Sequence, residues 1–227
     1  MSPDLDAFAR RRDDILGRIA AAARAADRDP GEVALVGVSK KQPEERIDAA
    51  LAAGHRIFGE NRVQEAESRW QHRRTQFPDL ELRLVGPLQS NKTEQAVALF
   101  DVIETLDREK LAREIRKTMD RTGRSPRLYV QVNTGEEEQK SGLPPAEVGA
   151  FLTRVRDAYA LNVEGLMCIP PVEEPAGPHF ALLADLAAAN GLSKLSMGMS
   201  ADYETAVKFG ATSVRVGSAL LGERPSA

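Results

Sequence analysis

Lys40 and Lys41 close the apolar run "VALVGV" (residues 33–38) after a single serine, just before Pro43 and two glutamates. A lysine in that position serves either solubility or chemistry. A free amine with a pKa of ~10.4 is uncharged in roughly one molecule in a few thousand at pH 7, so a nucleophilic lysine needs surroundings that disfavour its charge. Given them, it can form a Schiff base with a carbonyl compound. Lys40 is the stronger candidate, because Lys41 lies further into the loop. Arg215 stands between Val214 and Val216, so strand alternation puts its side chain on the face opposite both valines. An inward arginine needs a partner, either a carboxylate on the floor of the fold or a ligand's ring nitrogen or phosphate. Ser200, Gly217 and Ser218 have the residue types of a phosphate loop, although an N-cap serine and a glycine turn account for them equally well. Asp202 and Glu204 follow Ser200 and must point away if an anion binds there.

Regular elements must position these residues. Leu5, Phe8, Ile15, Ile19 and Ala22 recur at helical spacing, predicting a helix over residues 4–26. Eight short runs rich in Val, Leu and Ile follow: residues 33–38, "RIFG", "LRLVG", "DVIET", "LYVQVN", "NVEGLM", "KLSMGM" and "TSVRVGSALL". Seven helical stretches separate them, the first opened by Pro43 and closed near Gly54. The others carry Val63, Ala66 and Trp70, follow Asn91 as N-cap, span residues 107–121, begin near Ala146, and comprise "HFALLADLAAAN" and "ADYETAVKF". This cadence predicts a single α/β domain over residues 1–227, a (β/α)8 TIM barrel with an extra N-terminal helix. A doubly wound sheet is the rival. No helix is evident after the eighth strand, and the N-terminal helix is expected to cover that gap.

In such a barrel the loops after the strands gather at one face. That places Lys40, Gly59-Glu60-Asn61, Gln89-Ser90-Asn91, Asn133-Thr134, Met167, Met199-Ser200 and Arg215-Gly217-Ser218 on one rim.

With 31 Lys+Arg against 34 Asp+Glu, the net charge of -3 leaves no basic surplus for nucleic acid. The single cysteine, Cys168, precludes an internal disulfide and reads as a buried small residue; the three scattered histidines make a zinc site unexpected. Neither a secretion signal nor the ~20 apolar residues of a membrane span is present, so a cytoplasmic protein with no membrane partner is expected. "GPLQSNKT" (residues 86–93) approaches the P-loop pattern but has Asn91 in place of the last glycine, whose backbone freedom that pattern needs. "EEEQK" reads as a solvated loop.

"VGVSKKQP", "FGENRVQE", "GPLQSNK", "QVNTGEEEQKSG", "GLMCIP", "LSMGMSADYETAVKFGATSVRVGS" and "LGER" appear in an order that strongly resembles the pyridoxal phosphate homeostasis protein family, from about residue 33 to 224. The resemblance implies a racemase-like barrel holding pyridoxal 5′-phosphate as a Schiff base on Lys40. It further implies Arg215 near the pyridine nitrogen, Ser200, Gly217 and Ser218 on the phosphate, and Asn61 lining the pocket. The chain departs from the family at "RLVGP", at Lys41 and at Leu221, which questions the pocket lining there. An arginine at the ring nitrogen disfavours a protonated pyridinium and weakens the electron sink for carbanion chemistry. With 12 residues after Arg215 (227 minus 215), no second racemase-type domain is expected. The expectation is therefore a monomeric cofactor carrier in vitamin B6 homeostasis, possible recipients being apo forms of pyridoxal-phosphate enzymes. A racemase or aldolase-like enzyme and a P-loop nucleotide binder are the alternatives.

Overall fold

The structure, a computed structural model, describes residues 3–223. Arg224, the last residue of the "LGER" motif, lies outside them. Eight parallel strands close into one barrel in sequence order, with the eighth paired back to the first. They are β1 (Ala34–Val38), β2 (Ile57–Glu60), β3 (Glu81–Leu84), β4 (Val102–Leu106), β5 (Arg127–Val132), β6 (Val163–Cys168), β7 (Lys194–Ser196) and β8 (Ser213–Val216). Around them run α1 (Pro3–Arg24), α2 (Glu44–Ala52), α3 (Val63–Gln76), α4 (Thr93–Leu99), α5 (Glu109–Thr122), α6 (Val148–Tyr159), α7 (Ala176–Ala189), α8 (Tyr203–Lys208) and α9 (Ser218–Leu221).

Side chains alternate across each strand, so every strand feeds two environments. Outward residues such as Leu82, Leu84, Val214 and Val216 join the main core against the helices. Inward ones include the small apolar cluster of Val102, Tyr129 and Met167. Charged and polar residues share that interior. Arg215 donates to Ser196 Oγ (2.6 Å), Ser196 donates to Glu104 Oε2 (2.6 Å), and Arg83 donates to Glu104 Oε1 (3.2 Å) and Glu81 Oε1 (2.6 Å). Buried charge is tolerable only when paired in this way.

Three local expectations change. The last apolar run does not stay extended: β8 stops at Val216, and Ser218–Leu221 form the one-turn helix α9. Helix α1 packs against α2, α8 and α9, so it does cover the gap that so short a helix leaves. Asn91 is not an N-cap; it lies inside a 3-10 turn, Ser90–Lys92, that precedes α4. Ser200 is not the cap of α8 either. Asp202 holds that position, and its Oδ1 accepts the Met199 N–H at 2.6 Å. Glu204 turns outward to pair with Arg18, so neither acid faces the strand ends as a free carboxylate.

Candidate functional site

A cavity of about 150 Å³ opens at the C-terminal ends of the strands. Lys40, Asn61, Ser200, Arg215, Gly217 and Ser218 all line it, which brings together the six residues singled out from sequence. Val38, Val85, Ile169 and Met199 supply apolar wall. Gln89 and Asn91 line neighbouring clefts instead, and Met167 faces the barrel interior.

Each polar group arrives by a definable route. Lys40 follows β1 in a turn closed by Gln42 N–H to Ser39 C=O (3.1 Å), with Lys41 left-handed at φ 57°. Lys41 is exposed and does not line the cavity. Asn61 follows β2, and its backbone lies against Gly86: a Cβ at residue 86 would fall 2.2 Å from the Asn61 carbonyl oxygen, so only glycine permits this approach. That glycine belongs to the near P-loop segment, whose Thr93 hydroxyl is already donated to Ser90 C=O (2.8 Å). The Asn61 Oδ1 is buried and has no hydrogen-bond partner among the described residues. Ser200 is carried by the loop after β7, where Gly198 has φ 90°; a Cβ there would meet Ala206 Cβ at 2.5 Å. The Ser218 and Ala219 N–H groups precede the first bond within α9, donated by Leu220, and so belong to its orphan end.

Arg215 is fixed from behind. Beside Ser196, it donates to the Cys168 carbonyl oxygen (2.7 Å) and lies 4.0 Å from Glu104 Oε2. The carboxylate partner allowed by the sequence is thus present, while Arg215 still lines the cavity. Cys168 itself is buried, and burial pushes its thiol up to about 12, which leaves it a packing residue. Sequence reasoning did not find Glu104, Ser196 or Arg83. For Arg83 alone a local signal was present, since "LRL" shows the same apolar-charged-apolar alternation as "VRV".

Residues 16–225 match the family model of the alanine racemase N-terminal domain, the class of protein to which this closed eight-stranded parallel barrel belongs. A pyridoxal phosphate homeostasis protein of Pseudomonas aeruginosa is 42% identical over 221 residues, covering 92% of this chain and 93% of the relative. Among solved structures, PipY of Synechococcus elongatus PCC7942 with PLP bound is 38% identical at a TM-score of 0.77, covering 92% of this chain and 100% of that one. The same protein without PLP superposes at 0.80. The chain belongs to the pyridoxal phosphate homeostasis protein family.

Proposed function

We propose that this protein binds pyridoxal 5′-phosphate and serves the intracellular homeostasis of that vitamin B6 coenzyme, holding it with little or no turnover of amino acids. The observation that carries the reading is the convergence of Lys40, Arg215, Ser200, Gly217, Ser218 and Asn61 on one cavity. Support also comes from the 42% identical homeostasis protein and from the PLP-bound PipY structure.

The donor set fits the cofactor. When bound, the cofactor supplies an aldehyde that condenses with a primary amine and a phosphate that needs several donors. Lys40 provides the amine that holds the aldehyde as a Schiff base. Ser200 and Ser218 hydroxyls, with backbone N–H groups at Gly217 and Ser218, hold the phosphate. Asn61 Oδ1 offers an unmet acceptor to a ligand hydroxyl. Arg215, a pure donor with no lone pair to offer a pyridinium proton, would be the residue toward the ring nitrogen and would keep the ring a poor electron sink.

A monomeric, single-domain holder follows from this reading, working in the cytoplasm and passing the cofactor to apo forms of pyridoxal-phosphate enzymes. No helix among the described residues is long and apolar enough to cross a membrane. The test is the absorbance spectrum of purified protein incubated with pyridoxal 5′-phosphate. A near-ultraviolet or visible band in the wild type that Lys40→Ala lacks is expected; an unchanged band in the variant would refute the assignment. Exchange of an amino acid's α-proton in deuterated water at enzymatic rates would overturn the holder in favour of a racemase or aldolase-like enzyme.

A further inference from the structure

We propose that Glu60 and Arg69, neither of which lines the cavity, are positioning residues that fix the Lys40 turn so that its amine is presented to the ligand. The inference rests on the reading of Lys40 as the Schiff-base lysine. Its basis is a clamp around residues 39–42. Arg69 Nη1 donates to Ser39 C=O (2.7 Å) and Arg69 Nη2 to Gln42 C=O (3.0 Å), so one planar guanidinium grips the turn on both sides of Lys40. The rigid fork suits two acceptors at a fixed spacing, which a lysine ammonium would not match.

Glu60 completes the clamp from the end of β2. Its Oε1 accepts from Ser39 Oγ (2.6 Å), Arg69 Nη1 (3.0 Å) and Trp70 Nε1 (2.9 Å). The Glu60 side chain is 0% exposed, and Oε2 has no hydrogen-bond partner among the described residues. Burying a carboxylate with one unmet oxygen is unfavourable for stability alone, and such costs are found where geometry serves a site. Glu44 on α2 holds the other edge of the fork, accepting from Arg69 Nε at 2.9 Å.

The clamped turn contains the left-handed Lys41, a conformation that β-turns usually give to glycine or asparagine. Without the fork, the turn can relax out of that conformation and carry Lys40 with it. Gln42 extends the linkage by donating to the Gly222 carbonyl oxygen (2.8 Å), directly after α9. The amine end and the Ser218 end of the cavity are thereby tied together.

The test compares two ligands on the full chain. Pyridoxal 5′-phosphate requires the amine, whereas pyridoxine 5′-phosphate has an alcohol in place of the aldehyde and reports the rest of the pocket. Arg69→Lys and Glu60→Gln should each weaken Schiff-base formation, read by absorbance, by about tenfold or more, the scale of a misplaced reacting group. Calorimetric affinity for pyridoxine 5′-phosphate should fall by about threefold at most, because only the Gln42–Gly222 bond links the turn to the phosphate end of the cavity. Equal weakening of both ligands, as a general loss of structure would give, or weakening of neither, would overturn the assignment. Should either variant fail to fold, Ser39→Ala removes one bond of the same clamp and should shift the two ligands unequally in the same direction. A Lys40→Ala protein that kept the wild-type chromophore would instead sink the reading on which the inference rests, an outcome distinct from failure at Arg69.

Discussion

Replacing Glu104 by alanine removes the carboxylate that stands between two buried arginines inside the barrel. Its oxygens lie 3.2 Å from Arg83 Nη1 and 4.0 Å from Arg215 Nη1, with side-chain exposures of 0% for Glu104, 6% for Arg83 and 3% for Arg215. At an effective dielectric constant of ~20 these separations correspond to attractions of ~5 and ~4 kcal/mol, set against the cost of taking three charges out of water. The balance at Arg83 is visible in its acidity: burial lowers its pKa, but Glu104 and Glu81 outweigh burial and the net shift is upward. In the variant Arg83 keeps Glu81 at 2.6 Å, whereas Arg215 keeps only Ser196 and the Cys168 carbonyl among its partners named above. An uncompensated buried guanidinium costs about 3–5 kcal/mol. For a chain of this size that is a fall in Tm of roughly 10 °C. Urea unfolding followed by circular dichroism measures it, with the transition slope required to stay constant. Glu104→Gln keeps an acceptor for Ser196 and should lose less. A loss below about 1 kcal/mol in Glu104→Ala would refute the idea that this carboxylate holds the two arginines in place.

Two further predictions concern groups outside the cavity. His55 is packed between Phe8 and Phe58, at 5.6 and 4.9 Å between ring centroids, and burial pushes its pKa down to about 4. The unfolded histidine titrates near ~6.5, so between those values the unfolded chain binds a proton that the folded chain refuses. The stabilisation is complete above about pH 6.5 and is lost as the pH falls toward 4, amounting to about 2 kcal/mol between pH 7 and 5. His55→Leu should flatten the pH dependence of the urea midpoint by that amount; an unchanged slope would contradict the assignment. Cys168, with its thiol pushed up to about 12, should resist a thiol-specific reagent at pH 8 in the folded protein and react at once in denaturant. Rapid labelling of the native state would show that the residue is not buried as described.

Much of this molecule was legible because periodicity reports burial. The eight apolar runs became eight strands; the barrel's geometry gathers the strand ends on one rim, the residue types there pointed to Lys40, Arg215, Ser200, Gly217 and Ser218, and the family resemblance picked out Asn61, all six of which line one cavity. Boundaries were less legible. "KLSMGM" reads as one strand, yet β7 ends at Ser196, because Gly198 adopts φ 90° and turns the chain against α8. "TSVRVGSALL" reads as another, yet a single helical turn needs too few residues to display a 3.6-residue period. The interior charges at Glu81, Arg83 and Glu104 were masked by a different effect. Glu81 and Arg83 are bracketed by leucines and Glu104 follows Ile103, a setting that signals a strand, and the identity of a cross-barrel partner is long-range information that no local pattern contains. The Glu60–Arg69 clamp was hidden for the same reason, nine residues apart in sequence and joined only once α3 docks on β2.

Lys40 is the attachment point proposed here for the cofactor. Borohydride reduction of the protein after incubation with pyridoxal 5′-phosphate, followed by peptide mapping, reads that attachment directly. The account predicts one phosphopyridoxyl group on the peptide containing Lys40, with the visible band bleached. Label confined to Lys41 or another lysine, or no label at all on folded protein, would contradict it.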